Sequence, residues 1–133
     1  MVSDGYKFNM NNIDAAIGLS QMTYIHDILV KHQLNADGYG VMFKDSPYVR
    51  PLSVIPNTVP AYWVYTVMLD PRVDRDRVLR DLNEKGIAAG LVHIPNHGYT
   101  CFEDSRAHLP ETDFFAAHQI SLPCGWWISP LGS

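Results

Sequence analysis

The stretch GYKFNMNNIDAAIGLSQM, residues 5–22, joins a short polar and aromatic segment to the start of an amphipathic helix. Asn11 and Asn12 are good N-cap residues, and Asp14 places a negative charge in the first turn, where it meets the positive end of the helix dipole. Apolar residues then recur every three or four positions, which is typical of one buried helix face. They are Ile13, Ala16, Ile17, Gly18, Met22, Ile25 and Leu29.

This helix should be long, because the apolar spacing continues beyond the opening stretch. We expect it to run from about Asn12 to His32 and to be ended by residues 35–40. One flank carries small side chains, which let another backbone approach closely. They are Ala15, Ala16, Gly18 and Ser20. We therefore expect the helix to pack against a large partner surface as well as against its own core.

The composition is that of an ordinary soluble globular protein. The 133 residues suffice for one domain with a core. Charged residues make up 18% of the chain, and the net charge of −4 provides no basic surface for nucleic acid. No segment approaches the roughly 20 apolar residues that span a bilayer, and the N-terminus lacks the pattern of a signal peptide, so the expected location is the cytoplasm. Cys101 and Cys124 form no C-x-x-C unit; a disulfide between them stays open, but in a reducing compartment buried free thiols are the simpler expectation.

A strand, a helix and a second strand are predicted in the middle of the chain. Residues 61–69, AYWVYTVML, are rich in aromatic and β-branched side chains and are apolar on both faces, which predicts a central strand. Asp74 should cap the following helix, and Gly86 should end it as the left-handed residue of a Schellman motif. Residues 87–94 are then expected to form the second strand.

Shorter elements complete the predicted domain. Residues 41–57, which include three prolines, predict an extended connector with one short edge strand. A third helix should begin at Glu111 or Thr112, and residues 120–123 should add a short strand. The predicted fold class is α/β, as an α+β-like small domain. It has a mainly antiparallel sheet of about three strands packed with helices, and the long N-terminal helix is its base.

His93 and His97 are candidate ligand contacts, because His93 lies near the end of the predicted strand 87–94 and His97 lies in the loop that follows it. Their spacing would place both rings on one face of a helix for a metal, but the intervening Pro95 argues against that helix. A zinc site with Cys101 and Cys124 has no close ligand pair to support it. A histidine at a strand end either hydrogen-bonds within its loop or meets a ligand, and the residues alone leave both open.

Asn9 and Lys7 are candidate phosphate contacts just before the first helix. An asparagine amide can donate to a phosphate oxygen, and the start of the helix adds backbone N–H groups and a positive dipole end. The Lys7 ammonium can pair with a phosphate or pyrophosphate oxygen as a point charge. In the alternative reading, Asn9 only caps the turn and Lys7 is solvated.

A family resemblance is carried by the opening motif, which reads Gly, aromatic, Lys, aromatic, Asn, Met and then, after a short polar step, Ala-Ala-Ile-Gly-Leu-x-Gln on the helix. It resembles the start of the C-terminal part of the DegT-type sugar aminotransferases. These are pyridoxal-phosphate (PLP) enzymes of aminotransferase fold type I that act on nucleotide-linked keto sugars. The ending Pro-Cys-Gly-Trp-Trp resembles one branch of the same family. The resemblance implies that residues 1–133 are one small C-terminal domain, a fragment from which the large PLP-binding domain is absent.

The resemblance also implies roles for the candidate residues. In the branch with this motif, the asparagine that corresponds to Asn9 reaches across a homodimer interface to the PLP phosphate of the other subunit. Family members carry a His, Pro and His arrangement that faces the nucleotide-sugar site, which implies substrate contact for His93 and His97. The second histidine comes one residue earlier here than in the commonest version. Lys7 is expected to contact the substrate diphosphate.

The sequence supplies no complete catalytic set of its own. Glu103, Glu111 and Asp113 form no convincing acid–base pair. PLP chemistry needs a lysine that bonds the cofactor and a carboxylate that faces its pyridine nitrogen, and the family carries both in the large domain. The chain alone is therefore expected to be inactive and to hold no PLP. Its own lysines lie outside the required context, and they are Lys7, Lys31, Lys44 and Lys85.

Three functions remain open from the sequence. The complete protein is expected to transfer an amino group, from a donor such as glutamate, to a nucleotide-diphosphate keto sugar in amino-sugar biosynthesis for surface polysaccharide or a natural product. Relatives without the usual lysine instead perform PLP-dependent sugar dehydration. A stand-alone small-molecule binding or regulatory domain is the alternative outside enzymes.

Overall fold

The computed structural model describes residues 10–128, apart from the side chain of Ser105. Within them the helices are α1 (Asn12–Met22), α2 (Ile25–Phe43), α3 (Arg75–Glu84) and α4 (Pro110–His118), and two 3₁₀ helices span Asn96–Gly98 and Thr100–Ser105. The strands are β1 (Val49–Pro51), β2 (Val64–Leu69) and β3 (Gln119–Pro123).

The three strands form one antiparallel sheet in the order β1-β2-β3. In register, Val67 faces Ile120 and Tyr65 faces Leu122, which places these four side chains on one face of the sheet. The predicted fold class is confirmed, as are the short edge strand, the final strand and the central strand, which begins at Val64 and not at Ala61. The edge strand β1 offers little to another chain, because the Val49 N–H donates to Ser46 Oγ at 3.2 Å and Pro51 has no N–H.

The core lies between this face of the sheet and helix α2. Its largest fully buried apolar side chain is Ile120, which is 1% exposed. Side chains of α3 and of the flanking loops pack against its margin. The buried cluster consists of Ala36, Tyr39, Tyr65, Val67, Leu69, Ile120, Leu122 and Cys124.

Helix α2 is bound to the last residue of β3 and to the segment after it by three hydrogen bonds from one helical face. Asn35 Nδ2 donates to the Gly125 carbonyl at 3.0 Å, and the Tyr39 hydroxyl donates to the Pro123 carbonyl at 2.9 Å. In the opposite direction, Cys124 Sγ donates to the His32 carbonyl at 3.4 Å. Burial raises the pKa of the Cys124 thiol to about 11, so this group stays protonated and serves as a donor.

The predicted single helix from Asn12 to His32 is wrong in its extent. The helix is interrupted at Thr23 and Tyr24, and the backbone N–H groups of both residues donate to the Gln21 carbonyl. It then resumes as α2 and continues through residues 35–40, which were expected to end it. Packing explains the continuation, because Asn35, Ala36 and Tyr39 are buried against the sheet and the segment after it, and tertiary contacts override weak helix propensity.

The predicted strand over residues 87–94 is also wrong. Gly90 alone pairs with β3, through two hydrogen bonds with Ser121 of 2.9 and 2.8 Å. Local hydrogen bonds instead hold the residues just before Gly90 in a turn. Asn83 Nδ2 donates to the Ala89 carbonyl at 3.0 Å, and the Ala89 N–H donates to the Ile87 carbonyl at 2.7 Å. The segment therefore lies beside the sheet without becoming one of its strands.

Helix α3 confirms the predictions made from local signals. Asp74 is its N-cap, and its Oδ1 accepts the Arg77 N–H at 3.0 Å. Gly86 has φ of +81°, and the Ile87 N–H donates to the Leu82 carbonyl at 2.9 Å, as a Schellman motif requires.

A forked ion pair precedes α3 and sets a pH dependence. Arg72 Nε and Nη2 donate to the two Asp70 oxygens at 2.7 and 3.1 Å, and its backbone N–H adds a third bond. These hydrogen bonds lower the pKa of Asp70 from 3.8 to about 2. Because the folded pKa is depressed, this stabilisation is present above the unfolded pKa of 3.8 and is lost as the pH falls through about 2.

An NMR titration of the Asp70 carboxyl carbon checks this prediction. We expect a midpoint near 2 in the chain as it is and a return towards 3.8 in the Arg72→Ala variant. The same midpoint in both proteins would show that the ion pair does not govern the titration.

Candidate functional site

His93 lies on the surface next to Trp63. The two ring centroids are 6.4 Å apart, with the ring planes inclined by 49°. Trp63 precedes β2 directly and is 61% exposed, and His93 is exposed as well. The structure thus brings together one histidine that the sequence singled out and one tryptophan that it did not.

The turn before β2 explains the exposure of this tryptophan. Tyr62 adopts a φ of +44°, a left-handed conformation that bulky residues rarely adopt. Its ring stacks on Tyr65 at a centroid distance of 5.8 Å. His32 Nδ1 donates to the Ala61 carbonyl at 3.1 Å and fixes the preceding residue to α2. Strand alternation gave no sign of this turn, because residues 61–69 are apolar on both faces.

His97 is engaged within the protein. Its Nε2 lies 2.9 Å from Asp113 Oδ1 on α4, and the contact becomes an ion pair when the imidazole is protonated. Helix α4 is held in turn by Arg75, whose Nη1 donates to the Ala116 carbonyl at 2.5 Å. The pair therefore ties the loop at residues 95–99 to the helical layer. Sequence reasoning found no partner for Asp113, because residues so far apart leave no spacing signal.

Two predicted site residues fall outside the part of the chain that the structure describes. They are Asn9 and Lys7, and the first described residue is Met10. Directly after them, Asn11 is the N-cap of α1, and its Oδ1 accepts the Asp14 N–H at 2.8 Å. The predicted cap is thus confirmed, while the phosphate contacts remain predictions.

None of the lysines in residues 10–128 is buried. Lys31, Lys44 and Lys85 are all exposed, whereas a lysine that bonds the cofactor is activated by desolvation or by a neighbouring cation. The one carboxylate beside Lys31 in its open groove is Asp27, one turn earlier on the same helix. A second open groove is lined by Lys44 and Asp70, and this carboxylate is already paired with Arg72. Over residues 10–128, no group of three or more His, Cys, Asp and Glu side chains is placed to bind a metal ion.

The apolar residues that were predicted to form one face of the first helix do not meet the core in α1. Helix α1 buries none of its side chains within the described chain, and Ile13 is 72% exposed. We call the exposed members of this face the α1–α2 apolar surface. They are Ile13, Ile17, Met22, Ile25 and Leu29. The expectation that this helix packs against the chain's own core is wrong for α1, and large apolar side chains exposed in such number are typical of a contact surface.

The two tryptophans near the end of the described chain pack mainly on each other. Trp126 and Trp127 make an edge contact at 5.9 Å, with planes at 84°, and both remain exposed. Trp126 also lines an open groove of about 340 Å³ along α2. None of the helices in residues 10–128 has the length and apolar character needed to cross a membrane.

Comparison with known proteins gives consistent relatives. The chain is 29% identical over 126 residues to the UDP-4-amino-4,6-dideoxy-N-acetyl-beta-L-altrosamine transaminase of Helicobacter pylori, an alignment that covers 92% of this chain and 34% of that protein. The fold matches the sugar aminotransferase CalS13 from Micromonospora echinospora with a TM-score of 0.83 and 31% identity, over 94% of this chain and 33% of that one.

A further match is Spr1654 from Streptococcus pneumoniae in its PLP form, with a TM-score of 0.80 and 25% identity, over 96% of this chain and 34% of that one. The chain therefore spans about a third of the length of these relatives. The model of the DegT/DnrJ/EryC1/StrS aminotransferase family matches residues 2–130. The chain belongs to this family of aminotransferases.

Proposed function

We propose that the chain is the C-terminal part of a PLP-dependent aminotransferase that acts on nucleotide-diphosphate keto sugars, and that it is inactive alone. The observation that carries the proposal is the match of 94% of this chain to a third of CalS13, a sugar aminotransferase, at 31% identity. The Helicobacter pylori relative, a transaminase of a UDP-linked amino sugar, supports a nucleotide sugar as the substrate.

The exposed residues of α1 support the proposal that a further domain or subunit packs against this helix. Isolated helices shorter than about 12 residues are marginal in water, and α1 has 11 residues with none buried. In the proposed enzyme, the α1–α2 apolar surface packs against the large domain or the second subunit of a homodimer. Burying it there supplies the stabilisation that the described chain does not provide.

In the proposed enzyme, each candidate site residue has a role. Asn9 donates to the PLP phosphate of the neighbouring subunit, and Lys7 pairs with the substrate diphosphate. His93, exposed at the sheet margin, contacts the substrate. His97 keeps its Nδ1 for a substrate hydroxyl, because its Nε2 is occupied by Asp113. The amino donor is a compound such as glutamate, and the enzyme works in the cytoplasm in amino-sugar biosynthesis.

Adding PLP to the purified chain tests whether it is inactive alone. We expect no protein-bound PLP absorption band that borohydride removes, because Lys31, Lys44 and Lys85 are all exposed, and Asp70, which shares a groove with Lys44, is already paired with Arg72. An intact aminotransferase of the family serves as the positive control. A borohydride-sensitive band at one equivalent of PLP, abolished by Lys31→Ala and kept in Lys85→Ala, would contradict the proposal.

A further inference from the structure

The turn before β2 has a fixed interior and an outward tip. Tyr62 stacks on Tyr65, and Tyr65 stacks on the buried Tyr39 at 5.0 Å. The bond from His32 Nδ1 to the Ala61 carbonyl holds the other end of the turn. Trp63 alone among residues 61–65 points a large side chain away from this stack, and it does so at 61% exposure.

Holding this turn costs the protein backbone strain. The left-handed φ of +44° at Tyr62 is unfavourable for a tyrosine, and residues held in such conformations cluster at ligand-binding and catalytic sites. In this turn the Tyr62 ring packs on Tyr65, and the ring of the next residue, Trp63, is exposed. The centroid of the Trp63 ring lies 6.4 Å from that of His93, a residue that follows α3 in the chain.

We propose that Trp63 and His93 form a stacking platform for a ring of the nucleotide sugar, an inference that rests on the proposed function. An exposed indole offers a π face to a nucleobase or to the apolar C–H face of a pyranose. The adjacent imidazole can hydrogen-bond to a hydroxyl or to a phosphate oxygen of the same ligand. Trp63 is thereby assigned as a substrate-binding residue.

The other two tryptophans of the chain are natural controls. Trp126 and Trp127 are similarly exposed, but they contact each other edge-on and neither makes a ring contact with a histidine in the described residues. A ligand that merely prefers exposed indoles would act on all three tryptophans. If the ligand binds the platform at the turn before β2, the signals of Trp63 and His93 change together.

NMR titration of the ¹⁵N-labelled 133-residue chain tests the platform. The probes are UDP-N-acetylglucosamine, UDP and free N-acetylglucosamine, each up to about 10 mM, so that weak millimolar binding is still detected. We expect saturable shifts of the Trp63 indole N–H and the His93 amide, with the indoles of Trp126 and Trp127 unchanged. A response to UDP places the nucleotide part of the ligand at the platform, and a response to free sugar places the pyranose there.

Variants separate stacking from folding. Trp63→Ala should weaken the binding measured at the His93 amide by about 5- to 150-fold, the loss expected for one base–aromatic stack. Trp63→Phe keeps a ring and should retain part of the affinity, while Trp126→Ala should leave it unchanged. The dispersion of the Ile120 and Leu122 amide signals shows whether each variant stays folded.

The platform is overturned if the nucleotide sugar shifts other amides and not those of Trp63 and His93, or if Trp63→Ala binds as tightly as the unchanged chain. Absence of any shift over the whole titration also overturns it. These outcomes leave the aminotransferase proposal standing, because that proposal is tested by PLP binding and by the gene, neither of which depends on Trp63.

Discussion

Replacing Ile120 by alanine is expected to lower the free energy of unfolding by about 2–5 kcal/mol. Ile120 is 1% exposed, and its partner across the sheet is Val67. Removing three carbons there leaves a cavity that the surrounding strands cannot fill. Urea denaturation followed by circular dichroism measures the loss, provided that both proteins unfold with the same dependence on urea.

Ile13→Ala is the matched control for this loss. The residue type and the substitution are the same, but Ile13 is 72% exposed on α1, so we expect a change within about 0.5 kcal/mol. Equal losses at the two positions would mean that α1 packs on the core of the isolated chain, contrary to the structure.

The backbone amides of α1 are expected to exchange their hydrogens almost as fast as those of an unfolded peptide in the dilute, monomeric chain. The helix has 11 residues and buries none, so its local opening should cost no more than about 1 kcal/mol. The Ala36 amide in α2 should instead exchange only through global unfolding, because Ala36 lies in the core. Hydrogen exchange followed by NMR distinguishes the two helices within one sample.

Self-association could protect α1 and must be controlled. An Ile17→Glu variant places a charge on the α1–α2 apolar surface without touching the core, and sedimentation reports the oligomeric state. If α1 is as protected as Ala36 in a protein that sediments as a monomer, the helix is stable by itself and needs no further surface. That result would remove the structural argument that a further domain or subunit packs against α1.

Local signals account for the parts of the fold that the sequence predicted correctly. Helix α3 carries its own N-cap at Asp74 and its own stop at Gly86, and both act within a few residues of the chain. Strand β2 is marked by aromatic and β-branched composition. Such features need no knowledge of the tertiary structure, and all of them were confirmed.

The errors arose where side-chain hydrogen bonds that the sequence does not reveal decide the local structure. Asn35 is a poor residue for a helix interior, but its side chain donates to the carbonyl of Gly125, 90 positions later, and the helix continues through it. The segment at residues 87–94 has a strand-like composition, but Asn83 binds the Ala89 carbonyl in a turn just before Gly90, the one described residue of the segment that pairs with β3. Neither bond can be read from spacing or from hydrophobic pattern.

The candidate site was predicted only in part for the same reason. His93 was selected from its loop and from the family resemblance, and the structure places it on the surface. Trp63 was missed because a strand that is apolar on both faces gives no sign of which side chain is outside. The contact between His97 and Asp113 joins a loop to a helix that follows it, and each residue alone is unremarkable in the sequence.

Reading the coding DNA upstream of Met1 tests the central claim most directly. We predict that the reading frame continues upstream and encodes a large PLP domain with a Ser-x-x-Lys-like segment. The same domain with its lysine replaced would indicate a sugar dehydratase instead. An in-frame stop codon directly upstream, with no such domain, would contradict the account and favour a stand-alone binding domain.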